Sequence, residues 1–328
     1  MPSDSYPYAV GRIRGLERSF FSPQDFTRMA EQPFQAAVKQ LSDSGYGQEA
    51  EDKSDPDELV AAEMKALRHT IDELAPEKPL TDPFWLEQDA VNLKLLLKAR
   101  LLEEDIPKED FAFGLFDLGL LQQAVAQKDY SALPSPLASS LAELEVSIEK
   151  QAVMDPFFIS TAVDRAIYRQ IFSIGKKSFV HKFFSAKVDF TNILSFLRAR
   201  SLNWSREKFE MSLLDCGELP LKQLLDVYAL APDEAELALS RGSAHETAIR
   251  KTLAATLGES GNISAASDIF SNALLELASG DRFDSFGIGP IVYYLYRKID
   301  EGKRLRILFA KKRSMETQKG NEPKSSEP

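Results

Sequence analysis

The residue types that most often carry chemistry are few in this chain and stand apart. His69, His181 and His245 are widely separated, and none lies beside a carboxylate or cysteine at metal-ligand spacing. A zinc site usually draws a second ligand from close by in sequence, so no metal is expected. Gly175, Lys176, Lys177 and Ser178 approach a phosphate-binding loop. Gln170, however, stands in place of its first glycine, and Lys177 in place of the hydroxyl residue. Gly287-Ile288-Gly289 lacks the third glycine of a dinucleotide fingerprint and runs into Pro290. There is no G-x-S-x-G elbow, and Cys216, the single cysteine, has no sequence partner that would activate a thiolate. Adjacent acids such as Glu103 and Glu104 belong to a solvated helix face more readily than to a catalytic pair. No catalytic residue, cofactor or small-molecule substrate is assigned, and an enzyme is not expected.

What recurs is a helical signature. Asp89, Asn92, Leu93, Leu96, Leu97, Lys98, Ala99 and Arg100 reappear at identical spacing as Asp189, Asn192, Ile193, Phe196, Leu197, Arg198, Ala199 and Arg200. A weaker third copy sets Glu301, Leu305, Leu308, Phe309 and Lys312 where Asp89, Leu93, Leu96, Leu97 and Arg100 stand. Apolar residues at i, i+3 and i+4 make the buried stripe of a helix, so residues 84–100 and 188–200 are expected to be equivalent helices with Leu96 and Phe196 both buried. Asp89 and Asn92, like Asp189 and Asn192, lie one turn apart beside that stripe. They either bond to neighbouring structure, as buried polar groups must, or repeat a contact to a partner; the structural reading is favoured. Self-similarity at this scale points to arrayed helical units, which typically bind proteins.

The elements around these helices follow from composition and punctuation. In a chain of 328 residues, richness in Leu, Ala, Glu, Lys and Gln together with poor strand signals predicts an all-α fold. The repeat predicts three units, 1–110, 111–215 and 216–313, followed by a polar, disordered tail at 314–328. Ser22 before Pro23 and Asp25 reads as a helix start, as do Asp82–Pro83 and Asp155–Pro156. Phe116-Asp-Leu-Gly119 resembles Leu214-Asp-Cys-Gly217, with each glycine expected at a turn or helix end. Tyr293, Tyr294 and Tyr296 are read as packing residues.

A formal net charge of −10 argues against a nucleic-acid binder. Residues 43–87 hold thirteen acids against four Lys or Arg, whereas residues 297–313 hold eight basic residues against two acids. The two stretches are either separate docking surfaces or two solvated faces. One cysteine, no secretory signal and no apolar run of about 18 residues imply a cytoplasmic protein without its own transmembrane segment. It could be peripheral to a membrane through partners.

The opening Tyr8-Ala-Val-Gly-Arg-Ile-Arg14, the two D-x-x-N helices and the closing Glu301-x-Lys-x-Leu-Arg-Ile-Leu308 together resemble the C subunits of V/A-type rotary ATPases, the family of the eukaryotic vacuolar ATPase d subunit. The resemblance spans roughly residues 6–313. It implies a funnel-like arrangement of three similar subdomains about a pseudo-threefold axis. It also implies a non-catalytic rotor part on the cytoplasmic face, gripping the central stalk and the membrane ring. Arg304 and Arg306, in the basic stretch, are candidate partner contacts. Lys311-Lys312-Arg313 leads into a polar tail where the family continues into a short further helix. A helical-repeat adaptor scaffolding another cytoplasmic complex is the competing reading, and an enzyme with an unrecognised site is a third.

Overall fold

The computed structural model describes residues 5–107, 110–150, 155–174, 178–241, 243–256 and 263–320. The glycine–lysine stretch at 175–177 lies outside them. The described residues are helical with no strand, so the fold is all-α. The chain packs into two compact units, one formed by residues 1–78 with 285–328, the other by residues 79–284. This division differs from three consecutive units at 1–110, 111–215 and 216–313, because both ends of the chain share one core.

In the first unit α1 (Tyr6–Leu16), α2 (Pro23–Glu31), α3 (Phe34–Asp43) and α4 (Pro56–Leu74) gather with α15 (Gly289–Gly320), the last helix among the described residues. Ser22 and Asp25 form a reciprocal capping box that starts α2. Asp55 caps α4, its carboxylate accepting from the Asp57 amide in the first turn. The core sets Leu59, Ile71, Ile291, Val292, Leu295, Leu305 and Phe309 out of water. Tyr293, Tyr294 and Tyr296 are buried with them. Residues 314–320 continue α15, where the sequence predicts disorder from 314. The segment Ser314–Lys319 has no helix breaker until Gly320. The rest of the expected tail, 321–328, lies outside the described residues.

The second unit runs through α5 (Asp82–Leu102), α6 (Leu118–Gln127), α7 (Ser135–Lys150), α8 (Pro156–Ser173) and α9 (Phe179–Ser201). It continues with α10 (Arg206–Met211), α11 (Leu221–Val227), α12 (Pro232–Ser240), α13 (Glu246–Thr256) and α14 (Ile263–Gly280). Helix α8 packs on α5 and α7, and α14 on α9 and α13. Residues at equivalent repeat positions meet: the Phe84 and Phe184 rings lie 5.0 Å apart, and Lys187 pairs with Glu87. The two repeat helices also end alike. Glu103 and Asn203 take left-handed backbone angles, and the next amides reach back to Ala99 and Ala199. Two expectations shift. Helix α5 starts at Asp82 with Thr81 as its cap, so Asp82 lies inside the first turn, where its charge suits the helix N-terminus. Leu96 is only half-buried, while Phe196 is enclosed by Phe209 and Tyr228.

Candidate functional site: repeated clamps and the basic closing helix

The repeated polar residues hold backbone. Asn92 donates through Nδ2 to the Ala112 carbonyl at 2.9 Å and accepts from the Ala112 amide at 2.8 Å. Asn192 makes the same pair with Leu214, at 2.9 and 2.8 Å. Asp89 accepts from the amides of Leu115 and Phe116, at 2.9 and 3.3 Å on Oδ2. Asp189 accepts from Leu219 at 2.9 Å. All four side chains are buried. Each loop comes so close that a methyl group on it would strike the carboxylate: a Cβ at Gly114 would lie 1.9 Å from Asp89 Oδ1, and one at Gly217 2.1 Å from Asp189 Oδ1. Gly217 therefore corresponds to Gly114, not to Gly119, which lies within the first turn of α6.

The cation eleven residues after each acid completes a clamp. An interval of 11 residues is close to three full turns, so acid and base share one face about 16 Å apart. Arg100 donates to the Val125 carbonyl near the end of α6, and Arg200 to Leu230 just past α11. The acids take amides immediately before the caps of those same helices, Asp117 and Pro220. Each docked helix is thus held by an anion at its positive end and a cation at its negative end, the arrangement that the helix dipole favours. Arg100 is further fixed by Glu145, at 2.7 and 2.9 Å, and Tyr130 bonds the same carboxylate.

The third copy does this with a different part of the chain. Glu301 accepts at 2.8 Å from the amide of Phe21, the residue before the Ser22 cap of α2. Lys312 donates to the carbonyls of Ala30, at 2.9 Å, and Gln32, at the end of that helix. Glu301 is buried and leans on Lys298, which is only 2% exposed and also pairs with Glu63 at 2.9 Å. Burial pushes the Glu301 carboxyl up against the opposing pull of Lys298. Asp189, with no cation of the described residues drawing on it, is pushed up to about 6 by burial, against the amides of Leu219 and Glu218 that favour its charge.

Arg304 occupies the place of Asn92 and Asn192 but grips no loop; it is 49% exposed and pairs with Asp300 one turn earlier at 2.7 Å. Arg306 is half-buried, near enough to Tyr46 for its charge to oppose the burial that raises that phenol. Much of the remaining basic stretch is spent inside its own unit. Arg297 lies over the Phe20 ring at 4.0 Å, and Arg313 pairs with Asp57 at 2.5 Å and Asp55 at 3.4 Å. The acidic and basic stretches therefore partly neutralise one another. Lys303, Arg304 and Lys311 remain exposed.

The chemistry-bearing residues stay scattered. His69 pairs with Glu73 on an exposed helix face, His181 packs on Phe172 and His245 on Phe190. Burial and then Asp215 push the Cys216 thiol up to about 12, which keeps it protonated. Among the described residues no three His, Cys, Asp or Glu side chains group as a metal site requires. None of the described helices is long and apolar enough to cross a membrane.

Fold and clamps define a helical scaffold in which one polar device recurs three times. The chain belongs to the ATP synthase (C/AC39) subunit family, whose model matches residues 9–318. It is similar to the C subunit of the A-type ATP synthase of Thermococcus kodakarensis, at 23% identity over 92% of this chain and 85% of that protein. It is also similar to the protein of the same name from Thermococcus onnurineus, at 24% identity over 72% of this chain and 68% of that one. The clamp residues missed as such in the sequence are Gly114, Arg100, Arg200 and Lys312. The signal for the three cations was the constant interval from acid to cation.

Proposed function

We propose that this chain is a non-catalytic coupling subunit that joins the central stalk of a V/A-type ATPase to the membrane ion-translocating ring. Family membership across nearly the whole chain carries the reading. The architecture supports it: a part that passes torque without chemistry needs helices that cannot slide on one another. Bonds at both ends of a docked helix resist sliding where an apolar stripe alone does not. The subdomains are arranged as a funnel about a pseudo-threefold axis, with the stalk seated in its opening. The chain sits on the cytoplasmic face, held there by the ring. Exposed Arg304 and half-buried Arg306 contribute to one partner contact. The purified chain is expected to bind stalk subunits in a pull-down without ATP or lipid, more weakly as salt rises. It should also co-purify with the membrane ring. Failure of both removes the coupling reading and leaves the helical adaptor.

A further inference from the structure

We propose that residues 20–32 form a strap, the third clamp's docked helix carried at the opposite end of the chain, which opens and recloses as a local unit. The correspondence is positional. In all three clamps the acid takes the amide just before the docked helix's cap, at Phe116, Leu219 and Phe21. In all three the cation eleven residues on takes a carbonyl at that helix's far end, at Val125, Leu230 and Ala30.

What differs is how much else holds the helix down. Helix α6 buries Leu121, Ala124 and Val125, and α11 buries Leu224 and Val227. Helix α2 buries Met29 alone. Its two ends are fastened well: Phe20 lies against Tyr294 at 5.4 Å and under Arg297, and just beyond the helix Phe34 meets Phe309 at 5.8 Å. Between these fastenings α2 fully buries one side chain and half-buries Phe26, whose ring meets Phe21 at 6.0 Å, so its attachment depends heavily on the clamp itself. Elements with few buried apolar contacts are those that open below the global free energy. Opening of α2 would bare the gripping face of α15 while the core of Leu59, Ile71, Leu295 and Leu305 stays closed.

Native-state hydrogen exchange on the full chain tests this. In the wild type the amides of α2 are expected to exchange at least about tenfold faster than those of α6, the difference made by one or two further buried apolar side chains. Lys312→Met removes the ammonium and keeps the stem. It should speed α2 by about another tenfold, the worth of one charge-assisted hydrogen bond, and leave α4, α6 and α9 unchanged. Arg100→Met should do the reverse, loosening α6 and sparing α2. Lys312→Arg should keep the wild-type pattern. Protection of α2 equal to that of α9 in the wild type would overturn the proposal, even if a variant fails to fold. So would acceleration by Lys312→Met that spreads evenly over α2, α4 and α15.

Discussion

Two of the clamps close on the stretch of chain that follows them, and the third closes on a stretch from the other end. Asp89 reaches a residue 26 positions away, whereas Glu301 reaches one 280 positions away. Chain-entropy scaling makes the longer closure costlier by about 2 kcal/mol. The third clamp is correspondingly reinforced, by Lys298 between Glu63 and Glu301, by Arg313 on Asp55 and Asp57, and by Arg297 over Phe20. A device made of side chain on backbone tolerates such a change of supplier, because every residue it grips offers an amide and a carbonyl. Part of the charge asymmetry is also spent internally: Glu63, Asp55 and Asp57 pair with Lys298 and Arg313 across the seam between the chain ends.

The comparison is broken most sharply at Lys298. Lys298→Met strands Glu63 and Glu301 near one another without their cation. Loss of one partner from a buried ionic cluster costs about 3–5 kcal/mol, and urea unfolding should show it. A loss below about 1 kcal/mol would mean that Glu301 does not need the cation, and that the third clamp works as the second does.

Burial makes the acid of the second clamp sensitive to pH. The Asp189 carboxyl ordinarily titrates near 3.8 and here near 6. The folded state therefore binds the proton more tightly than the unfolded chain. Its stabilising effect is complete below about pH 4 and is lost as pH rises through 6, amounting to about 3 kcal/mol over that window. Asp189→Asn should keep the acceptor for Leu219 and remove this part of the pH dependence, as thermal unfolding at pH 4, 6 and 7.5 would report. An unchanged profile would show that another group sets it.

The fold was legible where side chains carry the signal. The repeated helices, the capping box at Ser22 and Asp25 and the cap at Asp155 all announce themselves through residue type. The pairing of a third clamp with the N-terminus was not legible, since its partners are the amide of Phe21 and the carbonyls of Ala30 and Gln32. Backbone groups leave no trace in composition. Only the close-approach glycines mark the loops, and Gly119 masked Gly114 by sitting beside a similar aspartate. The half-exposure of Leu96 was hidden for a related reason: its stripe matches that of Phe196, which is enclosed by Phe209 and Tyr228, residues that lie outside the stripe itself.

Those glycines give a narrower test of whether the first two clamps are one device. Gly114→Ala and Gly217→Ala should each displace the facing carboxylate and cost about 1–3 kcal/mol, the worth of amides left unpaired. In an Asp189→Ala background Gly217→Ala should cost much less, since the collision is gone; a double-mutant cycle measures this. Additive effects would separate the glycine from the clamp.

Arg304 marks where the third helix departs from the other two, and its effect on folding is expected to be the smallest. Arg304→Ala removes an exposed pair with Asp300 and should change unfolding stability by less than about 0.5 kcal/mol. Its effect should appear instead as weaker binding to stalk subunits at low salt. A fold-destabilising result with unchanged binding would return Arg304 to a purely structural role.

Coupling itself is measured most directly in the assembled rotary complex, reconstituted in vesicles with and without this chain, by following ATP hydrolysis and ion transport together. With the chain present, transport should accompany hydrolysis. Without it, hydrolysis should persist while transport is lost, because the stalk turns without driving the ring. Transport that continues at the same ratio to hydrolysis in its absence would contradict the account.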